Sequence, residues 1–293
     1  MRRRELIVAL GGAFSSGVWP RGGIAQLAAK RPPSGASGGE QPHVIYDPPD
    51  YSYWNFWGPD VPRCPWWVEI CPWNRGSLVA GVDYSASMTV YPSTFPNNTS
   101  STWTWPNDVT GGNVWGYNFL AYGVYGGERE PPTTIPYKQI NNINTLIVSH
   151  DISLSGDMDC FDCMYDFALN NASGPQPASN QAFEVEIYVH APPYTMSWLS
   201  NFPSNQKYYY TDKYGVQWMI VDCQRGFPRM LVFVKTDGVD YNVATIDFKE
   251  LFMAAKSHGI MTGNEWFVGL TVGTEPQKLS GAMTINSISV NYS

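Results

Sequence analysis

The chain has 293 residues and a formal net charge of −7 at pH 7. This acidic balance disfavours binding to nucleic acid and to anionic membranes, and the length permits one large domain with a full core. Aromatic residues make up 15% of the chain, with 12 Trp and 18 Tyr, which is more than a core needs. Because exposed aromatic rings stack on the apolar faces of pyranose sugars, this composition suggests a carbohydrate ligand.

The N-terminus is predicted to be an export signal. Arg2-Arg3-Arg4 precede an apolar run from Leu6 to Val18, and Gly23-Ile24-Ala25 follows with small residues at an offset suited to cleavage. The run is too short for a transmembrane anchor, and its arginines fit a twin-arginine signal. We therefore expect residues 1–25 to be a signal peptide. The mature protein, with a net charge of −10, would be secreted or periplasmic and would not bind a membrane.

Two further segments follow the signal. Residues 26–43 are rich in Gly, Pro and Ser, a composition that cannot bury a core, and they are predicted to form a disordered linker. Residues 44–293 show no internal repeat and no second domain boundary. They are expected to form one domain, and we expect a monomer.

Residues 44–293 predict an all-β fold. Short alternating or aromatic-rich runs are separated by Gly, Pro and Asn turns, which is typical of an antiparallel sandwich. The main predicted strands are 87–91, 113–125, 145–154, 164–170, 183–190, 215–223, 229–235, 266–274 and 282–292.

One segment near the C-terminus predicts an amphipathic helix packed on this sandwich. Asp247 is a good N-cap and Glu250 completes a capping box. Apolar residues follow at helical spacing, and Gly259 lies where a left-handed cap belongs.

The strand predicted at 183–190 alternates strictly between apolar and polar residues. Phe183, Val185, Ile187 and Val189 would share one face, while Glu184, Glu186, Tyr188 and His190 would share the other. Two carboxylates about 7 Å apart beside an aromatic ring suit a sugar-binding cleft better than an ordinary solvated face.

Two other predicted strands each place a carboxylate on a polar face. Glu275 would face away from the core at the end of its strand, because Val268, Leu270 and Val272 alternate with it. Asp166 alternates with large apolar neighbours in the same way. Three strands would then direct acids toward one concave surface.

Several motifs occur in a recognisable order along the chain. They are Trp54-Asn55-Phe56-Trp57-Gly58, Tyr165-Asp166-Phe167, Glu184-Val185-Glu186-Ile187-Tyr188, the single helix, Val272-Gly273-Thr274-Glu275-Pro276 and Ser280-Gly281. This order resembles glycoside hydrolase family 12, whose members are retaining endo-β-1,4-glucanases and xyloglucan hydrolases. The resemblance implies a β-jelly roll of two antiparallel sheets with a concave cleft.

The resemblance also implies residue roles. Glu184 matches the nucleophile, Glu275 the general acid/base, and Asp166 the acid that hydrogen-bonds the nucleophile. A retaining enzyme needs one ionised carboxylate to attack the anomeric carbon and one protonated carboxyl to release the leaving oxygen. The remaining expected substrate contacts are Trp57 as the stacking tryptophan, Asn55, Glu186, Tyr188 and Trp115.

One departure from the family leaves two interpretations open. The family usually has Met two residues after the nucleophile and Trp two residues later, where this chain has Glu186 and Tyr188. Glu186 either changes the pH optimum or the subsite preference, or is itself the nucleophile. For Trp103, Trp105 and Trp115, a groove lining and a core position are equally compatible with the sequence.

The remaining reactive residues predict no cofactor and no metal. Five cysteines in an exported chain suggest the disulfides Cys64–Cys71 and Cys160–Cys163, with Cys223 left over. The four histidines are isolated and lack zinc spacing. Asp157, Asp159 and Asp162 could hold calcium, but a solvated acidic loop fits their spacing better.

The leading hypothesis is a secreted endoglucanase that hydrolyses internal bonds of cellulose-like β-glucan or xyloglucan. The aromatic excess and Glu186 also allow a non-catalytic β-glucan-binding protein on the same fold. A polysaccharide lyase is a third possibility, although lyases usually place Lys, Arg or His near the base.

Overall fold

The computed structural model describes residues 41–46, 52–54, 64–107, 114–125, 135–224 and 228–293. The predicted signal peptide and most of the predicted linker lie outside these residues. The described residues form two β-sheets and two α-helices. Neither helix is long and apolar enough to cross a membrane.

The smaller sheet has six strands, and all of its neighbouring pairs are antiparallel. In spatial order the strands are β1 (His43–Tyr46), β4 (Ser85–Val90), β5 (Thr99–Trp105), β17 (Leu279–Tyr292), β8 (Leu146–Gly156) and β14 (Val243–Asp247).

The larger sheet has eleven strands and supplies the candidate site. Its pairs are antiparallel except for one parallel pair, between β10 and β13. In spatial order it contains β11 (Lys207–Thr211), β12 (Gln217–Cys223), β13 (Arg229–Lys235), β10 (Gln181–His190), β9 (Phe161–Asn170), β16 (Gly269–Pro276), β6 (Tyr117–Gly123), β3 (Trp66–Cys71) and β2 (Ser52–Trp54), with the short β7 (Lys138–Gln139) and β15 (Trp266–Phe267) at one side.

The main core lies between the two sheets. On β10 the apolar set predicted from alternation is buried there, with Val185 and Ile187 fully inaccessible. Met283 and Ile285 of β17 pack against this core from the smaller sheet. The two-sheet sandwich predicted from the sequence is therefore confirmed.

The predicted helix is α2 (Phe248–Ser257), and its apolar side is buried in the core. Asp247 caps it, because its side chain accepts a hydrogen bond from the Glu250 amide. The Glu250 carboxylate instead accepts hydrogen bonds from the Tyr210 hydroxyl and the Lys213 amide. Gly259 follows the helix with a φ of +74°, as the left-handed cap requires.

A second helix, α1 (Pro193–Ser200), was not expected from the sequence. It begins after Pro192 without a side-chain cap, and it contains few strong helix formers. Leu199 of this helix is fully buried against the larger sheet. Tertiary packing therefore stabilises α1, because its local sequence signals are weak.

The predicted disulfides are wrong, since no disulfide joins any of the five cysteines, all of which lie in the described ranges. Cys64 and Cys71 stand at opposite ends of β3, which separates them by more than about 15 Å, whereas a disulfide needs Cα atoms within about 7 Å. Cys160 ends the 3-10 turn Met158–Cys160, whereas Cys163 lies within β9 and is buried in the main core. The Cys163 thiol instead donates to Met283 Sδ over 3.8 Å.

Candidate active site

The outer face of the larger sheet, the side turned away from the smaller sheet, contains the predicted acids. Glu184, Glu186 and Tyr188 point to this face from β10, because their neighbours Val185 and Ile187 point into the core. Tyr188 belongs to a second apolar cluster that is separate from the main core.

Strand pairing arranges the acids in rows, where a row is a set of residues directly opposite one another on neighbouring strands. Asp166 of β9 lies opposite Glu186 of β10 and opposite Thr271 of β16. Four residues along β9, Asp162 lies opposite Glu275. The three acids expected from the sequence to share a surface therefore do share one, on three adjacent strands.

Most of these carboxylates are buried. The exposed fraction is 1% for Asp166, 4% for Glu186 and 7% for Glu275, whereas Glu184 is half-buried. Burying a carboxylate costs free energy unless hydrogen-bond donors of the protein replace the water molecules that it loses. Tyrosine hydroxyls supply several of those donors.

Three tyrosines donate hydrogen bonds to the acids. The donor–acceptor distances are 2.9 Å from Tyr188 Oη to Glu186 Oε2, 2.9 Å from Tyr125 Oη to Asp166 Oδ2, and 3.4 Å from Tyr194 Oη to Asp162 Oδ2.

The hydroxyls of Tyr188 and Tyr194 stay protonated at ordinary pH. Burial, and then the nearby carboxylates, raise the pKa of Tyr188 well above its usual value, and the same two causes act on Tyr194. Burial and then Asp166 raise the pKa of Tyr117, whose hydroxyl lies 2.9 Å from Thr271 Oγ1. The charge of Glu275 also contributes to the raised pKa of Tyr117, Tyr188 and Tyr194.

Apolar side chains surround the acids on the outer face. Leu199 of α1 packs into this cluster, and Lys207 Nζ of β11 donates to the Ser200 carbonyl at the end of the helix. Helix α1 therefore covers the part of the outer face formed by β12 and β13. The buried cluster consists of Trp67, Tyr117, Phe119, Ala121, Met164, Tyr188, Leu199, Met219, Val221, Cys223, Val232 and Val234.

The tryptophans expected to contact sugar fall in different places. Trp57 and Asn55 lie outside the described residues. Trp115 is half-buried and stacks on Trp105 with ring centroids 5.4 Å apart, at the edge of the main core. Its amide donates to the Pro276 carbonyl, next to Glu275. The sequence left open whether Trp103 and Trp105 line a groove or fill the core, and the structure buries both in the core.

Two expectations about polar residues are wrong. His190 does not share the face of Glu186, because a β-bulge after Tyr188 shifts the register. The His190 ring instead contacts Asp240 and the Met158 carbonyl. Asp162 is not in a solvated acidic loop, since it is 3% exposed within β9.

The sequence analysis missed four participants in the site, Asp162, Tyr117, Tyr125 and Tyr194. For Asp162 a signal was present, because Asp162, Met164 and Asp166 alternate along β9 and share one face. No group of His, Cys, Asp and Glu within the described ranges has the arrangement of a metal site.

Known structures share this fold, although no protein-family model and no curated protein matches the sequence. The family 12 xyloglucanase of Bacillus licheniformis superposes with a TM-score of 0.65 at 13% identity, over 86% of this chain and 100% of that one. An endoglucanase of Rhodothermus marinus superposes with a TM-score of 0.61 at 14% identity, over 86% of this chain and 100% of that one. The endoglucanase 3 of Trichoderma harzianum, from family 12, superposes with a TM-score of 0.60 at 16% identity, over 87% of this chain and 100% of that one. The chain thus has the β-jelly-roll fold of the family 12 glycoside hydrolases.

Proposed function

We propose that the protein is a retaining glycoside hydrolase that cleaves internal β-1,4 bonds of a glucan such as cellulose or xyloglucan. The observation that supports it best is the group of buried carboxylates on β9, β10 and β16, in which Asp166 and Glu186 accept hydrogen bonds from tyrosine hydroxyls. Structural neighbours with the same fold are described as xyloglucanase and endoglucanase, and one is complexed with a thio-cellotetraose.

In the proposed reaction Glu275 is the general acid/base. A glutamate of β10 attacks the anomeric carbon as the glycosidic bond breaks, and the leaving oxygen takes the proton of Glu275. Water then attacks the glycosyl-enzyme ester and gives a proton to Glu275, which releases the sugar with retained configuration. The resemblance assigns the attacking role to Glu184 and a positioning role to Asp166.

The wider setting is also part of this proposal. Residues 1–25 would direct export, and the mature enzyme would act outside the cytoplasm as a monomer on a polysaccharide. Trp57, Asn55 and Trp115 would stack on or hydrogen-bond the sugar chain near the acids.

The test is hydrolysis by the mature protein of a panel containing carboxymethyl cellulose, xyloglucan and mixed-linkage glucan. We expect reducing ends, a rapid fall in viscosity, and a β-anomer as the first product in proton NMR. Glu275→Gln should lower kcat by about 10²–10⁴-fold. The matched control is Asp159→Asn, which neutralises an exposed acid and should leave activity unchanged.

Two outcomes would contradict the proposal. Glucan binding without turnover would indicate a binding protein, and unsaturated, ultraviolet-absorbing products would indicate a lyase. A fully active Glu275→Gln variant would remove Glu275 from the mechanism.

A further inference from the structure

Two glutamates of β10 share the outer face with Glu275, and strand pairing decides which of them lies nearer to it. The strand β9 lies between β10 and β16 and serves as a common reference. Glu184 pairs with Ala168 of β9, and Glu275 pairs with Asp162, which is six residues away along β9. Glu186 lies two residues closer to that row, opposite Asp166.

These offsets differ greatly in length. At about 3.3 Å per residue, the displacement along the strands is about 20 Å between Glu184 and Glu275 and about 13 Å between Glu186 and Glu275. The sideways separation, two strand spacings, is the same for both. A retaining enzyme needs carboxyl groups about 5–5.5 Å apart. Because Glu184 and Glu186 have side chains of the same length, the shorter displacement brings the carboxylate of Glu186 closer to this separation than that of Glu184.

Tyr188 connects the nearer pair. It lies opposite Met164, in the row between those of Glu186 and Glu275. Its hydroxyl donates to Glu186 over 2.9 Å. After burial, the charges that raise the pKa of Tyr188 come from Glu186, Asp162 and Glu275. Tyr188 therefore lies between Glu186 and Glu275 along the strands, whereas Glu184 lies beyond Glu186 in the opposite direction.

The burial of the two glutamates also favours Glu186 as the attacking group. Glu186 is 4% exposed and faces Asp166 across the strand pair, so its carboxylate is desolvated and fixed. Glu184 is half-buried. An attacking group benefits from a fixed, water-poor setting, while a half-buried carboxylate suits a hydrogen bond to a sugar hydroxyl.

We infer that Glu186, rather than Glu184, is the nucleophile, and that Glu184 binds the sugar one row further along the face. The inference rests on the proposed function. A carboxylate oxygen of Glu186 forms a bond to the anomeric carbon, and the glycosidic bond breaks with its electron pair on the leaving oxygen, which takes the proton of Glu275. In the second step water adds to that carbon and loses a proton to Glu275, and the ester electron pair returns to Glu186.

The first experiment uses the unaltered mature enzyme. A 2-deoxy-2-fluoro cellobioside with an activated leaving group should accumulate as a glycosyl ester, because fluorine slows the second step. Tandem mass spectrometry of the peptide that contains both glutamates should place the ester on Glu186. An ester on Glu184, or the absence of an ester in an enzyme that turns over, would overturn the assignment.

The second experiment compares Glu186→Ala with Glu184→Ala on dinitrophenyl β-cellobioside, with and without azide. We expect Glu186→Ala to lose at least about 1,000-fold in kcat and to recover activity with azide, forming an α-glycosyl azide. Glu184→Ala should mainly raise KM and form no azide product. The α-azide from Glu184→Ala instead would overturn the inference. An unaltered enzyme inactive on every glucan and activated glycoside would refute the proposed function and this inference together.

Discussion

The hydroxyl of Tyr188 donates a 2.9 Å hydrogen bond to Oε2 of Glu186, two residues earlier on the same strand. Residues at this spacing lie on one face of a strand, so the tyrosine orients the carboxylate from within β10 itself. Because burial and the surrounding acids keep the pKa of Tyr188 high, the hydroxyl remains a donor throughout the working pH range.

Removing this hydroxyl tests its role in orienting Glu186. A hydrogen bond to a charged group contributes about 1.5–3 kcal/mol, so we expect Tyr188→Phe to lower kcat/KM by about 10- to 100-fold. Steady-state kinetics on an activated cellobioside would measure the change. Tyr210→Phe is a matched control, because it removes another tyrosine–glutamate bond, to Glu250 beside α2. Equal losses in both variants would show a general effect on folding.

A methyl group at Gly273 should disturb the strand that positions Glu275. A Cβ there would lie 2.3 Å from the Asn118 carbonyl oxygen and 2.7 Å from Phe119 Cβ, so β16 would have to move. We expect Gly273→Ala to reduce the free energy of unfolding by about 1–3 kcal/mol and to reduce kcat as Glu275 shifts. Urea unfolding and kinetics would test this. Unchanged stability would show that the strands β16 and β6 are less tightly packed than the structure indicates.

His150 should make the fold sensitive to acid. Its Nε2 donates to the Tyr241 carbonyl over 2.6 Å, and its Nδ1 accepts from the Tyr165 hydroxyl over 2.8 Å, an arrangement of the neutral ring. Burial lowers the pKa of His150 below its ordinary value. Below about pH 6.5 the unfolded chain therefore binds a proton that the folded chain does not, and stability falls as the pH drops.

Glutamine at this position cannot take up that proton. We expect the free energy of unfolding of His150→Gln to fall less steeply between pH 6.5 and 5, by up to about 1.4 kcal/mol per pH unit. Urea unfolding at several pH values would measure the slope. His258→Gln, at an exposed histidine after α2, is the matched control for replacing a histidine by glutamine. An unchanged slope in His150→Gln would contradict a neutral buried ring.

Reducing agents should leave the protein unaffected. No disulfide joins its five cysteines, whereas loss of a native disulfide typically costs about 2–5 kcal/mol. We expect the same Tm with and without dithiothreitol, and five titratable thiols per denatured chain. A lower Tm under reducing conditions would indicate a cystine.

Local patterns predicted part of the fold well. The strict alternation of β10 gave its buried and outer faces correctly up to Tyr188, and Asp247 with the apolar spacing after it gave α2. The strand β5 was missed, because its Ser- and Thr-rich sequence has a weak apolar pattern. Helix α1 was missed because packing on the outer face, rather than local signals, holds it in place.

The sequence by itself determined that Glu186, Asp166 and Glu275 would each point away from the core, because side-chain direction follows from alternation within each strand. Only the tertiary structure decided the order of these acids across the sheet. Alignment between β9, β10 and β16 depends on pairing of distant segments, and a shift of two residues moves a carboxylate by about 7 Å without changing any local pattern. The bulge that turns His190 away from this face is likewise a property of paired strands.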